Sequence, residues 1–155
     1  MPELKEKLRA DLVIAMKARD GVRTRTLRMA LTAITNEEVA GAAARELSDT
    51  DIVKVLTREA RKRREAAEAF ETGGRPEQAA AERAEVAVIA AYLPTQLTDA
   101  QLADLVAVAI SETGAAGPRG MGQVMKVVTP RVAGRADGAR VAAEVRRQLS
   151  AAGSQ

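Results

Sequence analysis

From Arg119 onward the chain carries seven cationic side chains, Arg119, Lys126, Arg131, Arg135, Arg140, Arg146 and Arg147, against two carboxylates, Asp137 and Glu144. That is a local balance of +5 in a chain whose formal net charge is +3. Such a concentration suits phosphate chemistry. Arginine offers a planar fork to paired oxygens, lysine offers a point charge, and each phosphate neutralised releases condensed counterions. The loop at the centre is Gly134-Arg135-Ala136-Asp137-Gly138, with Arg131 just before it and Arg140 just after. Two readings of the loop stand side by side. In one, Asp137 caps the following helix and the loop is an ordinary helix-to-helix turn. In the other, Gly134 and Gly138 free the backbone for positive φ and close approach by RNA, and Arg131, Arg135 and Arg140 meet phosphates and sugars, with Lys126 and Arg119 adding charge.

What the sequence lacks narrows the chemistry. With no His and no Cys, there is no imidazole base, no thiol nucleophile, no disulfide and no structural zinc of the usual kind. No glycine-rich phosphate cradle follows a strand pattern. Glu37 and Glu38 are adjacent, so on a helix they point in different directions and make a poor acid/base pair. The expectation is therefore no catalytic residue, no metal and no cofactor. Phe70 and Tyr92 are the only aromatic side chains, too few for a platform on which single-stranded bases stack. No apolar run approaches the ~20 residues of a membrane span, and Met1 to Lys7 is charged, so a soluble, cytoplasmic chain with no membrane partner is expected.

The elements that would position the basic loop are helical. Hydrophobic residues make up 46% of the chain and aromatics 1%, so the core must be Ala, Val, Leu, Ile and Met, in segments long and alanine-rich enough to favour helix over strand. The first helix is expected over about residues 3–19, with Leu4, Leu8, Leu12, Ala15 and Met16 inward. Asp20 and Gly21 start a second, striped by Leu27, Ala30, Leu31, Ile34 and Val39, with Arg25, Arg28 and Thr32 on another face that reads as solvated or as a nucleic-acid contact. Ser48 and Asp51 form a capping pair for a long third helix striped by Ile52, Val55, Leu56, Ala60, Ala67 and Phe70. Its run Arg58, Arg61, Lys62, Arg63, Arg64 is interleaved with glutamates at i,i+4, Glu59–Arg63, Arg61–Glu65 and Arg64–Glu68, and reads as a self-neutralised, solvated face. Gly73 and Gly74 stop it. Pro76 opens a fourth helix striped by Ala79, Val86, Ile89, Ala90 and Leu93.

The pattern breaks at Tyr92-Leu93-Pro94-Thr95-Gln96-Leu97, because proline disfavours a helical residue before it. A domain boundary is placed here, giving 1–94 as a four-helix subdomain and 95–155 as a three-helix one. Thr98 and Gln101 form a capping box for the fifth helix, which carries Leu102, Leu105, Val106, Ala109 and Ile110 and stops at Gly114. Ala115 to Gly120 is read as a flexible connection. The sixth helix holds Met121, Val124, Met125 and Val128 and should end or kink at Pro130. Val141, Val145 and Leu149 line the inside of the seventh.

Taken in order, KEKLRADLVIAMKARD, TREARKRREAAEAFETGGR, AYLPTQL, MGQVMKVV and GRADG resemble the YqeY-like family, which is similar to the tail region of the B subunit of glutamine-dependent aminoacyl-tRNA amidotransferase. The resemblance implies an all-α fold with a helical N-terminal subdomain and a small three-helix tail. It also implies a non-catalytic accessory role on tRNA, at its elbow, alongside an enzyme of the carbon–nitrogen ligase class with glutamine as amido-N-donor. An alternative is an accessory subunit that docks on an amidotransferase or an aminoacyl-tRNA synthetase through protein contacts. Gly134, Arg135, Ala136, Asp137 and Gly138 match the family's loop, and Met121, Gly122, Val124 and Met125 the helix before it. Gln123 departs from the lysine often found there, so one phosphate-seeking charge is missing, although Arg119 lies nearby.

Overall fold

The computed structural model describes residues 2–153. Among them the regular elements are seven α-helices and one 3₁₀ turn, the all-α class that the composition implies. The helices are α1 Glu3–Lys17, α2 Gly21–Val39, α3 Asp49–Thr72, α4 Pro76–Ala90, α5 Asp99–Thr113, α6 Met121–Val132 and α7 Gly138–Gly153, with the 3₁₀ turn Pro118–Gly120 between α5 and α6. The chain divides into two compact units, Met1–Leu93 and Pro94–Gln155. The outermost residues of the two expected subdomains, Met1 and Ser154–Gln155, lie outside the described residues.

In the first unit the caps do what their chemistry suggests. The Asp20 carboxylate accepts from the Arg23 amide at 3.1 Å and starts α2, and Ser48 Oγ accepts from the Asp51 amide at 3.2 Å and starts α3. Gly73 closes α3, and Gly74 turns the chain at φ 73° into Pro76, the first residue of α4. The core gathers Leu8, Ala15, Leu27, Ile34, Leu47, Ile52, Leu56 and Ile89. Tyr92, just past α4, donates to Asp11 Oδ2 at 2.6 Å and ties the end of α4 to α1.

The first unit departs from the apolar spacing at several positions. That spacing puts Met16, Val39 and Ala90 on buried stripes, yet all three are exposed. Each lies at the flank or the last turn of its helix, where the neighbouring helix no longer covers it. The polar positions Lys5 and Thr26 are buried instead: Lys5 Nζ bonds both Glu38 oxygens, at 2.9 and 3.0 Å, and Thr26 donates to the Val22 carbonyl at 2.7 Å. The basic run of α3 is not uniformly solvated, because Arg63 is buried. Its guanidinium bonds Glu59 Oε2 at 2.9 Å and Glu85 Oε2 of α4 at 3.1 Å. Of the three ion pairs expected along α3 only Glu59–Arg63 forms, with neither Arg61–Glu65 nor Arg64–Glu68 within ion-pair distance.

In the second unit Thr98 and Gln101 close a reciprocal capping box at the start of α5, and Gly114 ends that helix at φ 67°. Residues Ala115 to Gly120 are not an unstructured connection. Gly117 turns at φ 70°, the 3₁₀ turn follows, and Gly120 is buried so tightly that a Cβ there would stand 2.7 Å from Ala115 Cβ. Pro130 does not end α6, which runs on to Val132. Proline forfeits the bond to the carbonyl four residues back and crowds that carbonyl, but with two residues to go and Val132 buried, packing outweighs the loss. Val106, Val124, Val128, Val132, Val141, Val145 and Leu149 form the core.

Candidate nucleic-acid interface

The loop between α6 and α7 is built by two helix ends and held from outside by a third segment. Ala133 caps α6 in the left-handed region at φ 51°, and Gly134 continues there at φ 79°, a conformation that glycine adopts without the Cβ penalty. Asp137 then caps α7: its Oδ1 accepts from the Arg140 amide at 2.9 Å and its carbonyl from the Val141 amide at 3.0 Å. Gly138 is helical, the first residue of α7, so the positive φ expected of it is not found. Only one of the two bracketing glycines serves a left-handed turn.

The arginines at this turn have different employments. The Arg135 guanidinium folds back on the end of α6, Nε donating to the Val132 carbonyl at 3.1 Å and Nη2 to the Arg131 carbonyl at 2.9 Å. It satisfies carbonyls that a helix C-terminus otherwise leaves bare, and its charge lies where the helix dipole favours a cation. Arg131 pairs with Glu112 at 2.5 Å and Arg140 with Asp99 at 2.8 Å. The Arg131–Glu112 pair is exposed, and Arg140, half-buried itself, meets a fully exposed Asp99. A pair of this kind contributes about 0–1 kcal/mol, so phosphate oxygens could displace either carboxylate at little cost.

The structure thus brings Arg131, Gly134, Arg135, Asp137, Gly138 and Arg140 together at one turn. It does not bring Lys126 or Arg119 to them. Lys126 lies five residues before Arg131, about 7.5 Å along the helix and roughly 140° around it, on the side away from the core. Arg119 is in the 3₁₀ turn that precedes α6, at the other end of that helix. On α7, Arg147 is held by Glu144 at 2.6 Å, and that hydrogen bond keeps the Glu144 carboxyl below the usual range. Arg146 is exposed and, among the described residues, has no carboxylate within ion-pair distance.

Two residues that spacing alone does not single out hold the loop. The Leu97 amide donates to the Arg135 carbonyl at 2.7 Å, and Gln96 Nε2 reaches the Gly134 carbonyl at 3.5 Å while bonding the Pro94 carbonyl at 3.0 Å. They sit some 38 residues before the loop, a separation at which no helical or hairpin period gives a signal.

The family model described as Yqey-like protein matches residues 5–149. The chain belongs to the YqeY-like family. No curated protein matches it. The YqeY-like match runs through both compact units and includes the α6–α7 turn together with the segment that holds it. In this YqeY-like chain Gln123 is exposed on α6, so the position where the family often has a lysine contributes a neutral amide. No group of three or more potential ligands suited to a metal ion occurs among the described residues, nor does any helix long and apolar enough to cross a membrane.

Proposed function

We propose that this chain is a non-catalytic accessory module that binds tRNA through the α6–α7 turn, as the family's similarity to the amidotransferase tail suggests. The observation that carries the reading is the pairing of Arg131 and Arg140 with exposed carboxylates on either side of a glycine-bearing turn. Both guanidinium groups are in reach of solvent and held only by weak, exchangeable partners. Between them the left-handed Ala133-Gly134 backbone carries little side-chain bulk, which lets a sugar–phosphate backbone approach. Helical RNA is recognised chiefly by shape, phosphates and 2′-hydroxyls, so weak sequence preference follows. The contact would be made at the tRNA elbow, in the cytoplasm, with an amidotransferase or an aminoacyl-tRNA synthetase as the enzyme served.

Polarisation titration of bulk tRNA across a salt series tests this. The expected result is binding that weakens with salt, and an Arg131→Ala/Arg140→Ala variant with lower affinity and a log–log slope smaller by about 0.7–0.9 for each phosphate that the variant no longer neutralises. Absence of binding by the wild-type chain at low salt overturns the reading. Wild-type affinity and slope in the double variant place any RNA contact elsewhere.

A further inference from the structure

The uncompensated charge of this protein is not densest at the α6–α7 turn. Residues 17–28, which close α1 and open α2, hold five cations, Lys17, Arg19, Arg23, Arg25 and Arg28, against the single carboxylate Asp20. Their balance of +4 exceeds the +3 of the whole chain. The Asp20 carboxylate is engaged as the α2 cap through the Arg23 amide. Lys17, Arg19, Arg25 and Arg28 are exposed, and among the described residues none has a carboxylate within ion-pair distance. Lys5, Lys7, Arg58, Arg63, Arg131 and Arg147 each have one. Among the described residues Arg61, Arg64, Lys126 and Arg146 do not, but no stretch of twelve residues around them gathers four such cations.

The geometry gathers these four charges. Side chains on a helix lean toward its N-terminus, so those of early α2 lean toward the α1–α2 turn. Arg25 follows that lean: its Nη1 lies 3.5 Å from where a Cβ on Gly21 would stand, at the first residue of α2. The Arg28 guanidinium reaches across to Met16 Sδ at 3.8 Å, in the last turn of α1 and next to Lys17. Arg19 is in the turn itself at φ 56°, between the two helices. Two guanidinium groups therefore converge from α2 on the turn that already carries Lys17 and Arg19.

We infer that the α1–α2 turn is a second polyanion-binding site, at which Lys17, Arg19, Arg25 and Arg28 take the phosphates of an RNA backbone. This rests on the RNA-binding reading above and adds a contact surface in the first unit. A phosphate backbone fits better than an acidic protein surface. Protein interfaces need an apolar centre inside the polar rim, whereas the two exposed methionines that flank this cluster already meet guanidinium groups, Met16 that of Arg28 and Met29 that of Arg63. Val13 and Ile14, 49% and 61% exposed, lie about a turn behind Lys17 along α1.

The test uses the full chain and bulk tRNA over the same salt series. Changing Lys17, Arg25 and Arg28 to Gln should lower affinity at least about tenfold near 100 mM salt and reduce the log–log slope by roughly 2–3, the sum for three phosphates. Circular dichroism checks that the helices survive. A measurement on the wild type stands beside it: bound tRNA should protect Lys17 from acetylation, read by peptide mass spectrometry. Wild-type binding in the triple variant, or an unprotected Lys17 in the complex, overturns this site while leaving the α6–α7 reading intact. A wild-type chain that binds no tRNA removes both. Weakened binding in the triple variant with none in Arg131→Ala/Arg140→Ala keeps this site and removes the other. If polyglutamate at equal charge displaces tRNA as well as polyphosphate does, or if Val13→Ser/Ile14→Ser weakens binding as much as the triple change, the partner is an acidic protein and the phosphate assignment fails.

Discussion

The Leu97 amide donates to the Arg135 carbonyl at 2.7 Å, so the backbone that enters α5 fastens the backbone that leaves α6. Leu97 is itself buried in the second unit's core, and the bond joins that core to the turn carrying the candidate RNA contacts. Arg135 is thus fixed at its carbonyl by Leu97 and at its guanidinium by α6.

Arg135→Ala should cost stability as well as charge. It removes two hydrogen bonds to the last carbonyls of α6, and about 1–2 kcal/mol is expected from bonds made by a charged donor that is partly exposed. Arg140→Ala, which loses only a pair with a fully exposed Asp99, should cost at most ~0.5 kcal/mol. Urea unfolding of the two variants checks the contrast. Equal stabilities would mean that the Arg135 bonds do not persist in solution.

The two glycines of the loop should respond in opposite directions to alanine. Gly134 sits at φ 79°, so Gly134→Ala incurs the left-handed penalty, about 1–2 kcal/mol. Gly138 is helical, with nothing within 4 Å of a Cβ placed there. Gly138→Ala should stabilise by about 0.4–1 kcal/mol through a less free unfolded chain. Thermal melts that shift the same way for both would refute the assigned backbone conformations.

Arg63 bridges Glu59 of its own helix and Glu85 of α4 from a buried position. Arg63→Met removes the buried cation between two carboxylates, leaving Glu59 only the exposed Lys62 at 3.5 Å, and breaking a buried pair costs about 3–5 kcal/mol. The expected loss is smaller, about 2–3 kcal/mol, because Glu59 and Glu85 remain 17% and 16% exposed. Adding Glu59→Gln and Glu85→Gln should recover part of it. A single variant as stable as wild type would show that Arg63 contributes no more than a surface arginine.

Titration should destabilise the first unit at both ends of the pH scale. The Tyr92 hydroxyl holds the Asp11 carboxyl below its usual range, with Lys7 adding to the effect, and the Lys5 ammonium does the same for Glu38. Groups with depressed folded pKa values stabilise above the unfolded value and lose that contribution as pH falls through the folded one, so acid loss should begin below about pH 4. Burial, then the hydrogen bond to Asp11, raises the Tyr92 phenol. Its contribution is complete below the unfolded value near 10 and declines as pH rises beyond it. Tyr92→Phe should cost about 1–2 kcal/mol at pH 7 and flatten the alkaline decline, as the bond to a charged acceptor disappears. Chemical denaturation at pH 7 and pH 11 reads both effects.

Helix type and helix starts were written locally, and so could be read without the fold. Asp20, Ser48, Thr98 and Asp137 each accept an amide from the next turn, an interaction that spans three residues and depends on nothing further away. The valine and leucine spacing in α5, α6 and α7 likewise named the second unit's core. Tertiary contacts decided the rest, because charge pairing and coverage depend on which helices meet. That is why Arg63, one basic residue in a run of them, is buried beside Glu85, why Met16 on a plausible apolar stripe faces Arg28 outside the core, and why α6 passes Pro130 to bury Val132. It is also why the positive charge counted along the sequence from Arg119 onward is partly neutralised by Glu112, Asp99 and Glu144, while the smaller group around Arg19 stays uncompensated.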